Sequence, residues 1–189
     1  RQFEPDISTD QMSSDLDLIW GSKSTTVTKL GCKHGGFKYI SSAKEMNALQ
    51  PGTRSFAQFD MDSFANVTND NDNPYLADMT KKAIELLNSN ENGFFLMVEA
   101  AHIDKFSHKN ILEGSTAQVI EFNKAIQVAY DFASRDGDTL VLVTADHETG
   151  GITYNEETGE YYYTTKSHTG VNVPCLLYTS PSPRDKRQS

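Results

Sequence analysis

Apolar and polar positions change period several times along the chain, and each change marks a predicted element. Ile7, Gln11, Met12 and Leu16 fall on one side of a helical projection, and Leu18-Ile19-Trp20 is a short apolar run closed by Gly21. This predicts a helix followed by a short buried strand. After the polar stretch SKSTTVTK, residues 36–40 alternate as a strand does. Ser42 is placed to cap a short helix over residues 43–49, which Pro51 stops. Residues 55–59 predict another strand, and residues 60–73, dense in Asp and Asn, predict a loop.

Two longer periodic segments follow. Pro74 stands behind Asn73 at a first-turn position, and Leu76, Met79, Ala83 and Leu86 recur at helical spacing until Asn-Ser-Asn ends the run. Val119, Phe122, Ile126, Ala129 and Phe132 form the stripe of a second helix. Residues 94–98 (FFLMV) and 140–143 (LVLV) are continuous apolar runs of strand length, which predicts strands buried on both faces. Residues 152–154 and 161–165 flank Asn-Glu-Glu-Thr-Gly and predict a hairpin. Helices alternating with apolar strands predict an α/β fold, a three-layer sandwich around a largely parallel central sheet. No internal repeat is visible.

Composition narrows the function classes. The chain has 189 residues, 26 acidic against 17 basic side chains, and a net charge of -9. This length suits one domain or a large piece of one. It carries no basic stripe, which argues against a nucleic-acid partner. An anionic substrate would have to be attracted by bound cations. No apolar run approaches the roughly 18 residues of a membrane span. The chain begins at Arg1 and shows no signal peptide, so its location is not legible from its start. Cys32 and Cys175 allow at most one disulfide. From Cys175 the chain reads CLLYTSPSPRDKRQS, without strand or helix period, and resembles an in-frame translation of a sequencing-library adaptor. The expected division is residues 1–174 as a partial domain and 175–189 as a non-native tail without regular structure.

Chemistry gathers behind the two apolar runs. The first leads into Glu99-Ala-Ala-His-Ile-Asp104-Lys-Phe-Ser-His108, the second into Thr144-Ala-Asp146-His147-Glu-Thr-Gly-Gly. Ligands in open α/β sheets sit at the carboxyl ends of strands. Carboxylate oxygen and imidazole nitrogen suit zinc, while carboxylate and water suit magnesium. Asp104 and His108, four apart, share one face of a helical turn. Asp146 and His147 are adjacent and can meet one ion only where the strand has already ended. His168 lies in Ser-His-Thr-Gly beyond the hairpin. Singly, each motif is most often a solvated helix face, a cap or a hydrated carboxylate; their succession at predicted strand ends gives them weight. His34 and His102 read as structural or surface residues.

Three stretches carry a resemblance: PYLADMTKKAIELLNSNENGFFLMVEAAHIDKFSH, LVLVTADHETGG and SHTGVNVP resemble the metal-site segments of the alkaline phosphatase family. HGGFKYISSAKEMNAL fits it less specifically. The resemblance covers residues 1–174 and is strongest over 74–174. It implies an incomplete alkaline phosphatase-like fold and two zinc ions with one magnesium. Glu99 would bind magnesium, Asp104, His108 and His168 the first zinc, and Asp146 and His147 the second. Lys105 and Arg1 would bind phosphate. The implied reaction is hydrolysis of phosphate monoesters through a phosphoserine, releasing inorganic phosphate. The intact protein would be a homodimer in the periplasm, on the cell surface or secreted. The family's nucleophile stands in an Asp-Ser-Ala context. Asp62-Ser63-Phe64 is rejected for that role because it lies in an acidic loop, so this chain alone is expected to be inactive. The rival readings are a related sulfatase, phosphodiesterase or phosphoglycerate mutase, and a metal-binding relative without catalysis.

Overall fold

The computed structural model describes residues 4–60 and 72–179. Arg1 and Ser63 lie outside the described residues. The chain divides into two units, residues 1–97 and 98–189.

The first unit runs α1 (Glu4–Met12), β1 (Leu18–Ser22), α2 (Lys29–His34), β2 (Lys38–Ile40), α3 (Ala43–Asn47), β3 (Ser55–Phe59) and α4 (Leu76–Leu87). Its sheet is parallel, in the order β1-β3-β2. All five residues of the middle strand β3 are buried. The two faces follow the period of a strand. Ala57 and Phe59 pack with Ile40, Met46, Leu49, Met79 and Leu86, under α3 and α4. Phe56 packs on the other side with Cys32 and Phe37, under α2. Helix, sheet and helix thus form three layers, as the alternation of elements predicts. Ser42 caps α3: its hydroxyl accepts from the Glu45 N–H at 3.2 Å. α1 differs from its expected face. It ends at Met12, its inward residue is Ser8, and Ile7 and Leu16 are exposed. Because Phe59 is fully buried beside partly buried Trp20, the chain's sole tryptophan, Phe59→Ala should cost about 3–5 kcal/mol. Denaturant unfolding followed by Trp20 fluorescence measures it, and an unchanged midpoint would contradict this core.

The second unit contains α5 (Ala101–Ser107), α6 (Leu112–Asp136), β4 (Leu140–Thr144), β5 (Glu148–Thr149), β6 (Ile152–Asn155), β7 (Glu160–Tyr163), β8 (His168–Thr169) and β9 (Cys175–Thr179). Its strands form three antiparallel pairs, β4–β9, β5–β8 and β6–β7. The β6–β7 hairpin is the expected one. In α6 the inward stripe is Ser115, Glu121, Ala125 and Ala133, rotated from the expected stripe, and Val119 is exposed. At the start of α6 the α5 helix comes close: a Cβ on Gly114 would stand 2.2 Å from the Phe106 ring.

Three expectations are corrected here. Residues 94–98 form no strand; Phe95 is 89% and Met97 76% exposed. Among the described residues no strand lies beside them to accept a ladder, and an apolar run becomes a strand only with such neighbours. β4 is a strand, but Leu140 and Leu142 are exposed and its neighbour is antiparallel. Among the described residues, parallel pairing occurs in the first unit. Finally, residues 175–179 are not without structure. They pair with β4, Val141 opposite Tyr178, and the Tyr178 ring stands 4.5 Å from that of Tyr130. The pairing satisfies backbone groups along β4, yet Leu176 and Leu177 stay exposed.

Candidate metal centre

α5 begins two residues after Glu99 and carries Asp104; His108 caps its C-terminus one turn on, its N–H donating to the Asp104 carbonyl at 2.9 Å. His108 Nε2 lies 3.3 Å from Asp104 Oδ1. His168 arrives from β8, where it sits opposite Thr149 of β5. Its Nε2 is 3.6 Å from the same Asp104 oxygen and 3.1 Å from His108 Nε2. One ligand atom from each of Asp104, His108 and His168 lies within 4.8 Å of the others.

The hydrogen bonds select the donor atoms. His108 Nδ1 stands 2.6 Å from the Lys166 carbonyl oxygen. A carbonyl only accepts, so Nδ1 carries the hydrogen and the neutral ring turns a bare lone pair at Nε2 toward the cluster. Two imidazole nitrogens and a carboxylate oxygen then face one another, an arrangement that a proton or a metal cation between them satisfies. Two nitrogens and one oxygen suit zinc. The residues present therefore fit a zinc ion.

A second group adjoins this one. His147 stacks on His168 with ring centroids 3.5 Å apart and an interplanar angle of 21°. Asp146 Oδ2 lies 3.0 Å from His147 Nε2, and the carboxylate is 84% exposed. The strand has ended at Thr144, so these adjacent side chains reach the same region. Glu99 is exposed and stands outside the Asp104 group; Lys105 is exposed on α5. Arg1 lies outside the described residues.

Sequence reasoning missed Glu148 and Thr149, reading Glu-Thr-Gly-Gly only as a strand end. The Glu148 carboxylate accepts from the N–H groups of Gly151 (3.1 Å) and Ile152 (3.3 Å) and from the Thr169 hydroxyl. Burial pushes its pKa up, but the Thr169 bond, the two backbone bonds and nearby His147 hold it below the usual carboxylate value. It thereby pins β8 to the turn that follows β5. Thr149 Oγ1 donates to Asp104 Oδ1 at 2.6 Å and lies 3.2 Å from His147 Nδ1. Gly150 follows at φ +97°, where a Cβ would stand 2.4 Å from the Tyr163 ring. The Tyr163 hydroxyl in turn bonds Ser107 Oγ (3.3 Å) and Ser115 Oγ (2.6 Å), tying the hairpin to α5 and α6.

Comparison with known proteins agrees with this picture. Residues 6–186 match the alkaline phosphatase family. Alkaline phosphatase 4 of Bacillus subtilis is 41% identical over 123 residues, 64% of this chain and 26% of the relative. The alkaline phosphatase of Escherichia coli K12 is 53% identical over 74 residues, 39% of this chain and 16% of the relative. The chain thus spans about a quarter or less of the length of these curated relatives. Among solved structures, a cold-active alkaline phosphatase from a psychrophilic Shewanella superposes with a TM-score of 0.83 at 19% identity, covering 98% of this chain and 64% of that one. The alkaline phosphatase of the Antarctic bacterium TAB5 gives 0.78 at 26% identity, covering 94% and 58%. A TAB5 variant solved with magnesium bound gives 0.73 at 25% identity, covering 95% and 58%. With the α/β fold and a carboxylate–imidazole cluster already in place, the match over residues 6–186 means that this chain belongs to the alkaline phosphatase family.

Proposed function

We propose that this chain supplies the zinc-binding part of a phosphate monoesterase. The observation that carries the reading is the convergence of Asp104, His108 and His168, with His147 stacked alongside, in a member of this family. Asp104, His108 and His168 hold one zinc; Asp146 and His147 supply ligands to a second. Glu99 contributes to a magnesium site, as the resemblance of its segment to the family implies. Zinc bound here supplies Lewis-acid polarisation of a phosphate oxygen and stabilisation of a leaving alkoxide.

The chain's own residues bind and orient. His108 is held by the Lys166 carbonyl so that Nε2 faces His168 and Asp104, where it would hold the ion, and Asp104 is held by Thr149. The exposed Lys105 ammonium, next to Asp104, offers charge to a bound phosphate, and Arg1 offers a second cation. Substrates are phosphate monoesters and the product is inorganic phosphate; nucleic acid is not a partner. The intact protein is a homodimer located in the periplasm, at the cell surface or outside. No helix among the described residues is long and apolar enough to cross a membrane. Residues 175–189 lie outside the functional part, because none of the site residues falls there.

The 189 residues contain no Asp-Ser-Ala stretch. The chain by itself should therefore take up zinc and magnesium yet show no turnover of a chromogenic phosphate ester at alkaline pH. Metal content after gel filtration and the ester assay check both statements. A chain that takes up no zinc sinks the metal reading. Turnover abolished by Ser63→Ala would restore the serine that was set aside.

A further inference from the structure

We infer that Thr149 is a positioning residue that couples the two proposed zinc sites through one hydroxyl. The inference rests on the metal reading above and goes beyond it. Thr149 Oγ1 lies 2.6 Å from Asp104 Oδ1 and 3.2 Å from His147 Nδ1, so a single oxygen touches a ligand of each site.

Hydrogen counting decides the direction of each bond. The hydroxyl has one hydrogen and two lone pairs. The short contact to the carboxylate commits that hydrogen, because an ionised carboxylate only accepts and such bonds are strong. Thr149 must then accept from His147, which places the hydrogen of the neutral ring on Nδ1. Nε2 is left as the lone pair, and it is Nε2 that faces the Asp146 carboxylate at 3.0 Å. A metal ion shared by this lone pair and the Asp146 carboxylate would fill that gap. One hydroxyl therefore aims the Asp104 oxygen at the first site and sets the His147 tautomer for the second.

The fold holds Thr149 where both bonds are made. It sits opposite His168 in the β5–β8 pair, and the neighbouring Glu148 carboxylate anchors the turn after it. Its β-branch restricts χ1 and keeps the hydroxyl on course. Outer partners of metal ligands govern affinity in this way.

The test uses the full chain loaded with zinc, in the variants Thr149→Val, which keeps the shape, and Thr149→Ser, which keeps the hydroxyl. Zinc affinity is measured by competition with a chromogenic chelator. The protonated nitrogen of His147 is read from long-range proton–nitrogen NMR correlations. Thr149→Val should weaken zinc binding about 10- to 100-fold, and Thr149→Ser should restore most of it. In the unsubstituted chain the His147 hydrogen should be on Nδ1. Equal affinity in Thr149→Val, or a His147 hydrogen on Nε2 with zinc bound, overturns the coupling while leaving the zinc sites standing. A misfolded Thr149→Val leaves the decision to the tautomer and to Thr149→Ser, whose failure to bind like the unsubstituted chain also overturns it. A chain that takes up no zinc at all removes the metal reading and this inference together.

Discussion

Asp104→Ala should abolish tight zinc binding by this chain. Asp104 Oδ1 is the oxygen that His108, His168 and Thr149 all approach, at 3.3, 3.6 and 2.6 Å. Without it, two imidazoles face each other at 3.1 Å with no negative charge to offset a divalent ion. Structural zinc sites bind with about 10–16 kcal/mol over four ligands, so each of the three protein ligands here carries roughly 3–4 kcal/mol, or about 100- to 1,000-fold in affinity. The loss should exceed that of Thr149→Val, because removing a ligand costs more than misaiming it. Chelator competition measures both. Asp104→Ala with the affinity of the unsubstituted chain would show that the cluster is a set of surface contacts and not a metal centre. In the protein that also carries a nucleophile, Asp146→Ala with His147→Ala should remove turnover; activity that survives both would exclude the two-zinc mechanism.

Gly150→Ala should destabilise the second unit by roughly 3–5 kcal/mol, combining a strained backbone with a displaced ring. At φ +97° a side chain is disfavoured, and its Cβ would lie 2.4 Å from Tyr163 Cδ1. The ring must move, and its hydroxyl then releases Ser107 and Ser115, both buried. Gly137→Ala is the control. Gly137 has φ +80°, but nothing lies within 4 Å of its built Cβ, so only the backbone effect of about 1–2 kcal/mol is expected. Thermal unfolding of the two variants, followed by circular dichroism, separates the terms. Equal midpoints would mean that the Tyr163 bridge adds nothing to stability.

The elements that depend on neighbours in sequence were legible. β3, α4 and the β6–β7 hairpin follow from apolar period and turn residues, because their hydrogen bonds or faces are set within a few positions. The pair Asp104 and His108 was legible for the same reason, since one helical turn brings positions four apart together. Asp146 and His147 follow a strand end, β4, as expected, whereas Glu99 to His108 follow a run that forms no strand, so their placement was not legible from strand ends. Tertiary structure decided the rest. An apolar run at residues 94–98 looks the same whether or not strands lie beside it; here none does among the described residues, and Phe95 and Met97 stay exposed. Residues 175–179 became a strand because β4 offered a ladder, which no local period reveals. Thr149 and Glu148 are ordinary residues in a turn until β8 is laid against β5. Only then does Thr149 stand between Asp104, 45 positions away, and His147. A short period in the chain records which faces are apolar, but the partner of a hydrogen bond across the fold depends on where distant segments are brought. The sequence therefore contains the Asp and His residue types, and only the folded pairing of β5 with β8 determines which of their atoms meet.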